Sequence, residues 1–429
     1  MKAAARLLPA ALFAACLHSP ATLAAGFDCS KASTLLETAI CTTPSLSAKD
    51  DTLNERYKPL KDRKIFRELE NFWLREVRNR CETAACLEVA YDQQIKLLTP
   101  VPALSQVDPK SLQPLPRDQR YTQVEDEPWQ RFPLATVADM SEDSFAYLVD
   151  VATLDGVLNV VLFVAEKQDD EGSNPGNIYD SRPIGTLYEY SDARPGLHPF
   201  ARNVRFDGWN SITANDQGRR YAGIIDGVFY YRQKMSGEAQ QSMAYTLGSK
   251  ATPQPSTQLY AAESNSKRFA KAQISGDLNH DNSGLLIYYP HLTGDSNPYD
   301  RVMDKDAGGW SLVNPTWSPT RPVLYFDNNG GFACIWRVDL VTKRLEKIVP
   351  EHEAVAARPV DVIGREAIVY LEADQLMFAI APTSKACAAL RPASRWTRLR
   401  QRTVPARSLS SGQCNNSAHS FITPAFNRR

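Results

Sequence analysis

At 429 residues the chain exceeds one ordinary domain and leaves room for two or three. Its 49 Lys plus Arg balance 49 Asp plus Glu, so it lacks the basic excess of a nucleic-acid binder or of a protein held on an anionic membrane. Hydrophobic residues make up 43%, enough for ordinary globular cores.

The first 25 residues set the compartment. Lys2 and Arg6 precede the apolar run "LLPAALFAACL", and small residues follow in "ATLAAGF". This is the layout of a secretory signal peptide cleaved near Ala24 or Ala25. Its apolar core is too short to span a bilayer. "FAAC" ending at Cys16 resembles a bacterial lipoprotein cleavage box, but Phe13 stands where Leu or Val is usual, which argues against a lipid anchor there. No later run is long and apolar enough to span a membrane. The expectation is an exported bacterial protein, periplasmic or secreted.

Residues 26–98 read as a small helical unit. "TLLE" at Thr34 to Glu37 has the form of a capping box, and "SAKD" at Ser47 to Asp50 is its weaker acidic variant. Pro44 separates a short first helix from a second. Leu46, Leu53, Tyr57 and Leu60 form one apolar stripe; Ile65, Leu69, Phe72, Trp73 and Val77 form another. Leu87, Tyr91, Ile95 and Leu98 mark a further helix. Trp73 and Tyr91 are expected in the core.

Cys29, Cys41, Cys81 and Cys86 all fall in this unit. In an oxidising compartment such cysteines become disulfides, and a helical hairpin this small gains from covalent staples. Their spacing is too wide for zinc-ligand pairs, and no C-x-x-C redox pair is present. If residues equally far from a turn near Lys64 lie level, Cys81 comes beside the loop after Cys41. That geometry favours Cys41 with Cys81 and leaves Cys29 for Cys86. Local pairing, Cys29 with Cys41 and Cys81 with Cys86, is the alternative. Cys334, Cys387 and Cys414 remain, and Cys387 with Cys414 is a further candidate pair.

Residues 99–118 carry Pro100, Pro102, Pro109, Pro114 and Pro116, which forbid regular helix and favour an extended, semi-rigid spacer. From residue 119 to 429 the pattern is β-rich. "AYLVDVATL", "VLNVVLFVAE", "GVFYYRQ", "GLLIYYP", "PVLYFDN" and "EAIVYLEA" are short β-branched and aromatic runs separated by turn-rich stretches. The fold expected is therefore multidomain: a disulfide-stapled helical hairpin bundle followed by an all-β domain, propeller-like or, alternatively, a β-sandwich.

Two stretches resemble known families. "FDCSKASTLLETAICTTPSLSAKDDTLNERY" resembles the N-terminal domain of LprI-like lysozyme inhibitors through Cys29, Ala32, Glu37, Ile40, Cys41, Pro44, Leu46, Asp50, Leu53 and Tyr57. "FWLREVRNRCETAACLEVAYDQQIKLL" continues the pattern with Trp73, Leu74, Arg78, Cys81, Cys86, Leu87, Tyr91 and Leu97. Lys49 departs from it, standing where the family usually has Leu. The resemblance covers residues 27–98 and implies a helical fold, export, disulfides and a protein partner, with lysozyme as the candidate. Residues 26–98 hold 12 basic and 12 acidic side chains, so no net charge steers them to a cationic lysozyme. Residues from about 313 to 350, which include "NPTWSPTRPVLYFDNNGGFACIWRVDLVTKRLEKIVP" from Asn314, resemble a TolB-type β-propeller blade, in which a W-S-P turn precedes a strand and a later strand ends in Asp-Leu.

Catalytic motifs are absent from the sequence. There is no G-x-S-x-G, no H-E-x-x-H and no phosphate-cradling glycine loop. The six histidines form no ligand-spaced pair. "SGDLNHDNSG" alternates Asp277, Asn279 and Asp281, as calcium loops alternate oxygen ligands, and makes calcium the one candidate cofactor. Asn282 and Tyr288 stand where an EF-hand needs Gly and Glu, and the same residues also favour a plain polar turn. The function expected is that of a non-enzymatic envelope protein that binds a protein partner; a hydrolase with its site in the β-rich domain is the alternative.

Overall fold

The computed structural model describes residues 27–101, 107–124, 129–137, 144–169, 182–206, 219–235, 239–258, 260, 262–263, 269–275, 284–292, 299–303, 312–328, 334–350 and 354–382. The segment read as a signal peptide, Cys16, the Asp277–Asn279–Asp281 loop, Cys387 and Cys414 lie outside them.

Four α-helices open the described chain: α1 (Leu35–Thr42), α2 (Pro44–Tyr57), α3 (Lys64–Phe72) and α4 (Ala84–Leu98). The capping box forms at α1. Glu37 N donates to Thr34 Oγ1 at 3.1 Å, and Thr34 N donates to Glu37 Oε2 at 3.0 Å. Pro44 sits in the first turn of α2, where its missing N–H costs nothing. The Ser47–Asp50 cap does not exist: α2 already runs through it, and Ser47 and Asp50 are buried. Thr83 starts α4 by accepting the N–H of Cys86 at 3.2 Å.

The cysteines pair locally, Cys29 with Cys41 and Cys81 with Cys86, at Cα separations of 5.8 and 5.4 Å. This corrects the long-range expectation. That expectation assumed a straight helix back from Lys64, but α3 ends at Phe72 and gives way to a π turn over Trp73–Val77 and a 3-10 turn over Arg78–Arg80. Counting a uniform rise therefore misplaces Cys81. The neighbour of the α2 N-terminal half is instead α4, where Lys49 bridges Glu88 and Asp92 at 2.5 and 2.7 Å. Trp73 and Tyr91 lie in the core, edge to face at 5.1 Å. Trp73 donates to the carbonyl of Ala90, and the Tyr91 hydroxyl to Asp50 at 2.6 Å.

Strands follow. β1 (Thr122–Val124) and β2 (Gln130–Thr136) come before the first meander, β3 (Phe145–Leu154), β4 (Val157–Asp169), β5 (Arg182–Ser191) and β6 (Arg194–Arg205). Next come β7 (Arg219–Arg220), β8 (Gly223–Ile225), β9 (Val228–Lys234), β10 (Gln240–Thr246), β11 (Gln254–Pro255) and β12 (Ala262–Glu263). The remainder are β13 (Lys271–Ser275), β14 (Gly284–Tyr288), β15 (Tyr299–Met303), β16 (Leu312–Trp317), β17 (Val323–Asn328), β18 (Cys334–Asp339), β19 (Arg344–Val349), β20 (Ala354–Val362), β21 (Arg365–Glu372) and β22 (Gln375–Ile380).

The five larger sheets are consecutive antiparallel meanders: β3 to β6, β8 to β11, β13 to β15, β16 to β19 and β20 to β22. Two strands from before the first meander extend later sheets. β1 lies parallel to β19, and β2 lies antiparallel to β22. β7 and β12 form a two-stranded ladder. First strands of neighbouring sheets meet: β3 touches β8 and β20, and β16 touches β13 and β20. The W-S-P stretch is as read, with Trp317 ending β16, Ser318 and Pro319 in the turn, and β17 following.

The helical unit is docked on the sheets. Arg63 donates through Nε and pairs through Nη2 with Asp192 Oδ2, both at 2.8 Å. Lys64 N donates to the Asp192 carbonyl at 2.8 Å. Asp192 occupies the β5–β6 turn and is fully buried. On the last meander, Arg365 donates to the carbonyls of Leu97 (2.9 Å) and Lys96, and Val101 N donates to the Ile363 carbonyl at 3.0 Å. One apolar core accordingly runs from Ile40, Phe66, Leu69 and Leu98 through Phe132 and Leu134 of β2 to Leu148, Leu162 and Val369.

The described part of the proline-rich stretch, from residue 107, is also laid down on the sheets. Leu112 and Tyr121 are buried in the core of β13–β18. Asp300 on β15, 2% exposed, accepts from the Leu115 N–H and the Tyr121 hydroxyl. Lys343 joins it at 3.0 Å and donates to the Gln113 carbonyl at 2.6 Å.

Gly364 shows how close the docking is. Its φ is +76°, and a Cβ there would meet the Val101 carbonyl oxygen at 1.9 Å. Gly364→Ala combines that clash with a left-handed conformation costing about 1–2 kcal/mol for a residue with a Cβ. We expect the substitution to lower the melting temperature by several degrees in thermal unfolding followed by circular dichroism. An unchanged melting temperature would show that Val101 does not pack there.

Candidate functional site

The strongest gathering of polar groups lies where β3, β16, β17 and β20 converge. Asp327 is near the end of β17 and fully buried. Its Oδ2 accepts from Asn314 Nδ2 at 2.6 Å and from the Ala356 N–H at 2.7 Å; the Ala357 N–H lies 3.5 Å from Oδ1. Burial pushes its carboxyl up to about 6, while Asn314, the two N–H groups and the Arg358 charge pull the other way.

Local backbone irregularity makes this possible. The β16–β17 ladder shifts register between Val313 and Thr316, and the β20–β21 ladder between Val355 and Arg358. Asn314 and Ala356 stand within these bulges at φ of +54° and +61°. The irregularities turn the Asn314 amide and the Ala356 N–H onto one carboxylate instead of into their ladders. Ala356 has no side-chain compensation for that conformation, so the surrounding packing holds the strain.

Arg358 lies beside this group and is 1% exposed. Its guanidinium donates to the carbonyls of Leu148, Val149 and Ala357, to the Thr316 hydroxyl and to the Tyr147 hydroxyl, at 3.2 to 3.4 Å. Tyr147 in turn donates to Asn314 Oδ1 at 3.3 Å. Asp327, Asn314, Tyr147, Thr316 and Arg358 thus form one network across three sheets. Chemically it holds a carboxyl able to exchange a proton near neutral pH beside a permanent cation.

A second buried set joins the fourth and fifth sheets. Arg337 Nη1 contacts both Glu366 oxygens at 2.7 Å, and its Nε meets Glu346. The Tyr325 hydroxyl also donates to Glu366. Between the first two sheets, Glu189 accepts from the Tyr245 hydroxyl at 2.9 Å and the Gly248 N–H at 2.7 Å.

The residues singled out from sequence lie elsewhere. The four paired cysteines are in the helical unit, and the Asp277 loop is outside the described residues. Among the described residues, no three His, Cys, Asp or Glu side chains gather as a metal site, and no helix is long and apolar enough to cross a membrane. Cys334 is buried on β18 and accepts a hydrogen bond from Trp336 Nε1 at 3.3 Å. Sequence reading missed the Asp327 network. Its one visible signal is Arg358, a cation close after the small apolar residues of "AVAARPVDVI", in which Asp361 is the other charge.

No family model and no curated protein matches the chain. Several solved structures resemble parts of it weakly. A TolB candidate from Agrobacterium tumefaciens is 17% identical over 50% of this chain and 67% of that one, at a TM-score of 0.21. CoXyl43, a GH43 β-xylosidase/α-arabinofuranosidase from a compost microbial metagenome, is 10% identical over 58% of this chain and 94% of its own, at 0.30. TolB from Acinetobacter baumannii is 10% identical over 55% and 63%, at 0.19. The resemblance to TolB-type β-propellers is weak, and at these scores each neighbour's chemistry stays with that neighbour.

The Asp327 carboxyl has a pH signature. Unfolded, it titrates at roughly 4. Between roughly 4 and about 6 the folded protein binds the proton that the unfolded chain has released, so its contribution to stability falls as pH rises through that window. In urea titrations the advantage of wild type over Asp327→Asn should be largest near pH 4 and level off above about pH 6. A difference independent of pH would remove the raised carboxyl from the account.

Proposed function

We propose that this is an exported bacterial envelope protein that binds a protein partner through the stapled end of its helical unit, with the sheets as a propeller-like platform. The supporting observation is how the unit is docked. It meets the sheets at Arg63 and Lys64, the start of α3, and at the carbonyls of Lys96 and Leu97, the end of α4. Cys86 is about 16 Å back along α4 from Leu97 at the helical rise, so the Cys81–Cys86 staple is remote from the docked end. The helical unit also holds exposed apolar side chains, Leu35 at 93% and Val89 at 50%. These two side chains are the ones that we take a partner to cover.

Lysozyme is the partner that the LprI-like residues imply, and disulfides are compatible with export. The five meanders, with first strands meeting and β2 completing the last sheet, suit the blades of a propeller better than a two-layer sandwich.

A second reading, an envelope hydrolase, is favoured by the Asp327 carboxyl raised to about 6 between two strained positions. Its oxygens are held by Asn314 and backbone N–H groups within the fold, so we place it second.

The test uses the mature full-length protein in a turbidity assay of cell-wall lysis by lysozyme. We expect slower lysis at excess protein, and at least a tenfold weaker effect from the double variant Leu35→Glu with Val89→Glu. Equal lysis rates with and without wild-type protein would remove lysozyme as the partner.

A further inference from the structure

The chain's early and late strands meet at one seam. β2 pairs along β22, the last described strand, and also touches β6, the last strand of the first meander. First and last meanders are joined in sequence only through the whole intervening chain; β20 meets β3 through the Arg358 hydrogen bonds to the Leu148 and Val149 carbonyls, and away from β3 the seam rests on the β2–β6 contact and the β2–β22 ladder.

The helical unit lies across that seam. Toward the first meander it offers Arg63 and the Lys64 N–H, both taken by the buried Asp192 of the β5–β6 turn. The other Asp192 oxygen accepts the Leu158 N–H at 2.9 Å, which fixes the carboxylate to β4. Toward the last meander the unit offers the end of α4 and Val101, taken by Arg365 and the Ile363 carbonyl of β20–β21. Between these anchors α3 rests on β2. Phe132 and Leu134 of β2, 6% and 1% exposed, share one core with Phe66, Leu69 and Leu98 from the helices.

We propose that the helical unit is a clasp that holds the first and last meanders together across the β2–β22 seam, so that lifting the unit opens the seam. The inference does not depend on what the stapled end binds. Three features carry it. The anchors lie on opposite sides of the seam. The strand that closes the seam buries its apolar face against the clasp. Asp192, drawn from water, has Arg63 as its charged partner, and burial otherwise raises its carboxyl. A partner that competed for the Arg63 face would therefore act on the sheets as well as on the helices.

Hydrogen exchange on the full-length protein tests it. In wild type under mild denaturant, amides of α3, α4, β2 and β22 should share one opening reaction. Amides of β14 and β15, on the third sheet, should follow their own. Arg63→Ala should speed exchange at β2 and β22 by at least tenfold and leave β14 and β15 unchanged. Faster exchange confined to α3 and α4, with β2 and β22 as protected as before, would overturn the clasp. If the variant does not fold, the wild-type profile decides: helix amides opening well below the seam amides contradict the proposal, and coincidence supports it.

Discussion

The structure depends on a carboxylate taken out of water. Asp192 is fully buried in a β-turn and is tolerated there because Arg63, 129 residues earlier, brings a guanidinium to it while Leu158 supplies an N–H. The pair ties a helix start to a strand turn, and every other helix–sheet contact is consistent with that one placement. Arg63 also lies 4.6 Å from the centre of the Phe66 ring, so the cation is packed as well as paired. With the unit held there, α3 covers β2 and the two halves of the chain share a core.

The central network follows the same logic with the signs exchanged. Arg358 is a cation buried where three first strands meet, and carbonyl and hydroxyl oxygens from β3, β16 and β20 receive its protons. Asp327 lies near enough to lower the cost of that charge, and two bulges supply the donors for Asp327. Removing Arg358 would leave strand carbonyls without donors, whereas removing a peripheral pair such as Arg80–Glu76 would change little.

Much of the local structure was legible in the sequence because it is set by neighbours a few residues apart. The capping box at Thr34 and Glu37, Pro44 opening a helix, and the turn at Ser318 and Pro319 are of this kind. The apolar stripes placed Trp73 and Tyr91 in the core. What was not legible is what joins distant segments. Arg63 and Asp192 look like ordinary surface residues in the sequence. The proline-rich stretch reads as a spacer, because nothing local announces that Asp300 and Lys343 will receive it. The disulfides illustrate both sides: four cysteines in a small helical unit announced staples, yet their pairing depended on a π turn at Trp73–Val77 that no periodicity encodes. Asn314 and Ala356 were hidden for a related reason, since their bulges exist only to turn donors toward Asp327.

These contacts bear on function through one constraint. A helical unit that shares its core with the sheets cannot tumble as a bead on a linker, so its stapled end is held at a fixed orientation to the sheets. The most direct measurement is calorimetric unfolding of the full-length protein under reversible, non-reducing conditions. A shared core predicts that the helical unit and the first and last meanders melt in one transition. A separate, earlier transition that carries the helical signal alone, with the sheets still folded, would contradict the account.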